Sequence, residues 1–537
     1  MKNYKDDEQL KSYSLATFKG GYNSYASGKA TVADNEFPYG QNVVLDNNGS
    51  IMKRNGKQRY GGVVATGKAI RGMGWLYNNT YNRLIVAAGT AWYYNDGTDI
   101  TALTGVTFTD DKPTHFCQAM DRLYGANNTD KLAYTSDGEA ITEQTSNGNV
   151  GDWPIYYNQR LYMTNATYKD RIYYSNPITA TESSYSAGDF GTFDTDLNAS
   201  PKKNAGFIIL IPGGGVEITR LWKDNTSGTD YIYAYTKRHG IWRISYNSAN
   251  DDGSIAHNVT QIVTANGCPS GDSVVKVAND QWFYGGDNFY TYGESAQYQN
   301  LRINTKSGRI RTEVNSITSK SSVVGGYFRD KLYFAYQIGT YNDRCLVYDI
   351  RMNAWGAPLV GIKANCFLEY EDSNGTTRFL AGSSDSSDSY IYELETGTND
   401  NDEAVSAFFE TKSTDCKTAL LKYFGFIDVF YTTLYGVITY EVWIDESLSL
   451  TGQVQVGNST DKPSGIGSRP IGSFPIGKEY DPATTFASLS QNDYFRIQCD
   501  YASGHNISVR ITNNNTGEQF KIDGINIYYL VGSVYEQ

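Results

Sequence analysis

The chain repeats one phrase seven times, and that repetition limits its fold more than any other feature. A basic or polar residue precedes a short apolar-aromatic strand, a polar turn follows, and a second Tyr-rich strand ends the phrase. The first strands begin at Asn82-Arg83-Leu84-Ile85, Asp121-Arg122-Leu123-Tyr124, Gln159-Arg160-Leu161-Tyr162, Asp230-Tyr231-Ile232-Tyr233, Asp280-Gln281-Trp282-Phe283, Asp330-Lys331-Leu332-Tyr333 and Thr377-Arg378-Phe379-Leu380. Their partners include Trp92-Tyr93-Tyr94, Ile172-Tyr173-Tyr174, Leu346-Val347-Tyr348 and Tyr390-Ile391-Tyr392. Most copies recur at about 40–50 residues, the period of a propeller blade. Several carry an earlier strand, such as His115-Phe116-Cys117 or Asn365-Cys366-Phe367-Leu368. Three to four strands per unit is the content of a blade. A β-sandwich does not account for seven similarly phrased hairpins, so an all-β chain with a β-propeller over residues 63–403 is expected.

Composition supports hairpins and sheets. There are 45 Tyr and 53 Gly residues. Tyr suits half-buried sheets because its ring buries while its hydroxyl stays wet. Gly, with Asn and Asp, supplies the turns. Asn95-Asp96-Gly97 and Ser136-Asp137-Gly138 are such turns.

Two further segments flank the repeats. Residues 1–62 read as an extended arm with a hairpin, since Asn47-Asn48-Gly49 separates Val43-Val44-Leu45 from Ile51-Met52. Asn399 to Glu403 is acidic and polar and reads as a solvated boundary. Residues 404–537 alternate in Gly436–Ile444, Tyr494–Cys499 and Ile507–Ile511, the pattern of a β-sandwich-like domain. Between those strands runs a long excursion with Gly465, Gly467, Pro470, Gly472, Pro475 and Gly477, a candidate gating or interface loop.

Few residues point to chemistry. The four His residues (His115, His239, His257, His505) form no ligand-spaced pair, and no glycine-rich phosphate loop leads into a helix. The six Cys are widely spaced and read as buried thiols of a chain made in the cytoplasm. The longest apolar run, Phe207–Ile211, is too short to span a membrane. No catalytic, cofactor-binding or metal-binding constellation can be nominated, and a non-enzymatic role is expected. The repeated cation (Arg83, Arg122, Arg160, Lys331, Arg378) has two readings, a cover for aromatic rings or a basic ring for an anion. Because the position drifts to Tyr231 and Gln281, the first is preferred.

The N-terminal words are more specific. Phe18-Lys19-Gly20-Gly21, then Pro38, Gln41-Asn42, Gly49 and Lys53-Arg54, resemble the start of tail nozzle (tail tubular) proteins of short-tailed bacteriophages. They are also similar to related phage tail-hub and DNA-stabilisation proteins. The last element here is Arg54-Asn55-Gly56, where many relatives carry Arg-Pro-Gly. The resemblance implies a virion protein that forms a homohexameric ring below the portal and adaptor. Duplex DNA passes through its lumen without sequence-specific binding, and tail fibres are possible neighbours. It implies an assembly arm at Phe18, Gly20, Gly21, Asn42 and Arg54. A net charge of −12 agrees, because a conduit for DNA works best when it does not bind phosphates. A receptor- or carbohydrate-binding propeller of a viral tail is the alternative, and a propeller hydrolase with paired carboxylates is a third reading.

Overall fold

A computed structural model describes residues 10–25, 28–144, 150–175, 205–211, 215–226, 229–249, 255–264, 266–278, 280–294, 301–456 and 493–532. Seven antiparallel sheets follow one another from Ile70 to Leu394, each of four or more strands, and form a seven-bladed β-propeller. The repeated phrase supplies the second and third strands of every blade. In the sixth blade, for example, Lys331–Gln337 pairs with Asn342–Asp349. These middle strands are buried along nearly their whole length, as in Arg160–Thr164 and residues 332–336. Each blade packs against a neighbour on either side, so alternation gives way to a continuous apolar run. The earlier strands noted in the sequence become the innermost ones, and Ile70–Tyr77, in the first blade, keeps a strict buried–intermediate alternation up to its exposed last residue.

Closure of the ring comes from outside the repeats. The last blade takes Cys366–Glu371, Thr377–Gly382 and Ile391–Leu394 from the repeat, and then Lys57–Arg59 from the N-terminal segment. Asn365 Nδ2 donates to Ile70 O at 3.0 Å, tying the last blade to the first. The acidic boundary is not a free linker. Asn399–Asp400 forms a short strand beside Lys57 and a hairpin with Glu403–Ala404. The reason is a charge: Asp400 receives a buried guanidinium, as described below.

The C-terminal region and the N-terminal arm share a sheet system. Lys422–Ile444 is one strand of 23 residues. Its first half pairs with Asp493–Gly504 and Gln519–Val531, its second half with Ser447–Val456 and Ile507–Asn513. Register shifts between Phe424 and Thr433 mark where the strand passes from one layer to the other. Ile427, Val429, Ile438, Val442, Ile511 and Ile527 from both layers meet in one core. Several strands of the arm pair with the C-terminal sheets. Lys11–Leu15 and Ile51–Lys53 join Gln519–Val531, while Tyr39–Gln41 joins Ala407–Glu410. That core continues into the fifth and sixth blades through Phe18, Tyr22, Trp282, Phe334 and Trp355. Among the described residues no helix is long and apolar enough to cross a membrane.

Candidate functional site

The inner strands of all seven blades surround a central cavity of about 730 Å³. At one mouth, four charged side chains converge from separate blades. His115 opens the second blade's inner strand, His115–Ala119. Asp152 and Trp153 lie in the segment leading into the third blade's Ile155–Tyr157. Arg220 stands on the fourth blade's Ile218–Thr226, and Asp272 sits in a tight turn, Gly271–Ser273, entering the fifth.

His115 joins two carboxylates. Its Nδ1 lies 2.6 Å from Asp152 Oδ1 and its Nε2 lies 3.0 Å from Asp272 Oδ1. The second and fifth blades are not neighbours, so this bridge crosses the mouth of the channel. Burial works against a charged imidazole, but Asp152 and Asp272 outweigh it and raise the His115 pKa to about 10. Burial would raise Asp272, yet His115 and Arg220 outweigh that and lower it. A histidine held protonated to such a pH is a poor general base near neutrality. The thiols at the cavity are no better placed as nucleophiles, since burial pushes Cys117 and Cys366 up to about 12.

Trp153 is the platform of the cluster. The His115 ring stacks on it with centroids 3.5 Å apart. Its backbone is in the left-handed region, φ +53°, a conformation that costs a large side chain free energy and often marks a functional site. Asp152 Oδ1 accepts the Trp153 amide at 2.9 Å and steadies the turn. The Arg220 guanidinium lies between two indoles, 4.5 Å from the ring centroids of both Trp153 and Trp222. It donates from Nη1 to Gly271 O at 2.8 Å. Burial lowers its pKa to about 10, with Asp272 opposing the fall.

The five residues of the expected arm lie in separate surroundings inside the chain, and two of them, Asn42 and Arg54, build a joint. Phe18 is buried and meets Phe409 edge-on at 5.6 Å. Gly20 lies against Asn35 and Glu36, where a Cβ would come within 2.5 Å of Glu36 Cγ. Gly21 has φ +75°, and a Cβ there would stand 2.5 Å from Trp355 O. Asn42 Oδ1 accepts from Arg54 Nε at 3.1 Å and from the Val360 amide at 2.8 Å, while Nδ2 donates to Ser406 O. Arg54 completes the joint with Asn55 O, Val360 O and both oxygens of Asp400. These side chains are satisfied within one chain, so any part they play in assembly passes through the shape they hold. Gly465, Gly467, Pro470, Gly472, Pro475 and Gly477 lie outside the described residues.

Four of the five repeated cations, Arg83, Arg122, Arg160 and Arg378, lie over aromatic rings, and Lys331 lies 3.8 Å from Glu395. Arg83 stands 4.6 and 4.7 Å from the rings of Tyr81 and Tyr94, and Arg122 4.8 Å from Tyr134. The basic residues that do reach the cavity, Arg71, Arg220, Lys223 and Lys276, lie outside the phrase. Sequence reading did not find the His115 cluster either, because no fixed spacing links its members. The one signal was Pro154 after Asp152-Trp153, which marks a turn ahead of a strand.

Fold and cavity together define a β-propeller with a small, mixed polar and aromatic centre. No protein-family model matches the chain, and no curated protein matches it. Solved structures similar in fold include YCF48 from Cyanidioschyzon merolae, at 9% identity and a TM-score of 0.36, covering 63% of this chain and 98% of that one. BBS1N in complex with ARL6DN aligns at 11% identity and 0.37, covering 64% and 96%. The extracellular domain of the putative one-component system BT4673 from B. thetaiotaomicron aligns at 9% and 0.40, covering 79% and 58%.

Proposed function

We propose that this chain is a structural subunit of a bacteriophage tail, forming the distal nozzle or hub as a ring around the path of DNA. The joint around Arg54 carries the reading. Asn42 and Arg54, two of the residues that resemble the nozzle family, meet there, and they weld arm, propeller and C-terminal region through one network. A tube wall that holds packaged DNA needs that kind of rigid coupling, because a hinge between domains would yield under load. The net charge of −12 supports it further, since the ring multiplies that charge and keeps phosphates from sticking. Assembly takes place in the host cytoplasm against the adaptor or portal-proximal ring, and the finished location is the virion tail.

Electron microscopy of the purified chain, alone and mixed with portal and adaptor, tests this. Closed rings of about six copies are expected, as the resemblance implies and as closed cyclic symmetry allows. Monomers under both conditions would remove the reading. A second reading, a receptor- or carbohydrate-binding propeller, is favoured by the presence of two indoles, Trp153 and Trp222, in the cavity lining. Saturable binding on a glycan array, lost in Trp153→Ala, would select it.

A further inference from the structure

We propose that the central cavity of the propeller binds a small ligand bearing a carboxylate or phosphate, seated on Arg220 and Trp222. Two arginines make the contrast, Arg54 buried and Arg220 half-buried. A guanidinium has five N–H donors. Arg54 directs its donors to Asn42, Asn55, Val360 and Asp400, and is a structural residue. Arg220 has one protein acceptor, Gly271 O, and among the described residues no carboxylate lies within ion-pair distance of it. Its Nε is buried with no partner, and so is Nε1 of Trp222, whose ring the guanidinium covers. Two unpartnered donors on residues in cation–π contact match an acceptor with more than one oxygen, and the fork geometry of arginine fits a planar carboxylate or a phosphate.

The surroundings favour an anion. Asp272 lines the cavity but faces His115, which stays protonated at neutral pH and also engages Asp152. Glu369 is the other acid of the lining, against the cations Arg71, His115, Arg220, Lys223 and Lys276. Arg71 is held by Asp111, Lys223 by Asp230 and Lys276 by Asp224, whereas Arg220 has no ion pair among the described residues and feels Asp272 only at longer range. The indoles on both sides fix its plane, so little entropy is lost on binding. A volume of about 730 Å³ admits a small molecule and excludes a folded partner.

Isothermal titration of the full chain with inorganic phosphate, citrate and glucose tests the site. Saturable binding of phosphate or citrate at one site per chain is expected, with no response to glucose. The responding anion tells a phosphate ligand from a carboxylate one. Arg220→Gln is expected to weaken binding at least tenfold, and Arg220→Lys less, because charge survives while the fork is lost. Trp222→Phe keeps an aromatic ring and removes the donor, and carries the test if Arg220→Gln does not fold. No heat with either anion at millimolar concentration, or equal affinity in Arg220→Gln or Trp222→Phe, would overturn the proposal.

Discussion

Arg54 grips Asp400 with two parallel hydrogen bonds, Nη1 to Oδ1 at 2.8 Å and Nη2 to Oδ2 at 2.6 Å, across 346 residues of sequence. The pair is buried where the arm, the sixth blade's edge at Val360 and the last blade's extension meet. Arg54→Met leaves Asp400 and the Val360 carbonyl without their donor. Such a break in a buried pair costs about 3–5 kcal/mol. Urea unfolding followed by tryptophan fluorescence should show it, with Arg54→Lys losing less because one charge contact survives.

Gly21 makes the tightest backbone approach between the arm and the sixth blade's Trp355. Its φ of +75° and the 2.5 Å approach of a Cβ to Trp355 O make Gly21→Ala strained in both conformation and space. A loss of about 1–3 kcal/mol is expected from the backbone alone. Gly62→Ala is the control, since nothing lies within 4 Å of its Cβ position and its φ is ordinary. Equal melting temperatures for the two variants would show that the arm does not need this turn.

The His115 bridge makes stability depend on pH. Its folded pKa of about 10 lies above the ordinary 6.5, so the contribution is complete below pH 6.5 and lost as pH rises through 10. Asp272 runs the other way: its pKa is lowered, so its share is present above the usual carboxylate value and disappears in acid. Unfolding at pH 6, 8 and 10 should show a decline for the native chain that is flatter in His115→Gln. Parallel slopes would count against the bridge.

Gln58 sits in the closing strand opposite Glu393. Gln58→Pro removes a backbone donor from that strand and distorts it. Hydrogen exchange by mass spectrometry should then show faster exchange across residues 391–394 than in the native chain, with a lower melting temperature. Unchanged protection there would mean that the ring is held without its N-terminal strand.

The hairpins were legible in the sequence because each one carries its own signal. Leu332, Tyr333 and Phe334 form an apolar run beside a charged turn, and nothing distant is needed to read it. The closing strand Lys57–Arg59 carries no such signal. It is short and polar, and it is a strand because Ile391–Leu394 presents an open edge. Asp400 looked like part of a solvated linker for the same reason: its partner, Arg54, belongs to another segment. The candidate site is the extreme case. His115 and Asp272 lie 157 residues apart, and only the curvature of the ring brings them to one mouth.

By itself the sequence determined the all-β class, the blade repeat and the alternating C-terminal strands. Those follow from side-chain periodicity, a property of neighbours along the chain. The tertiary structure alone decided where the ring closes, that Arg54 has its donors satisfied while Arg220 does not, and that His115 is charged. These are properties of burial and distance between remote segments, and local pattern does not encode them.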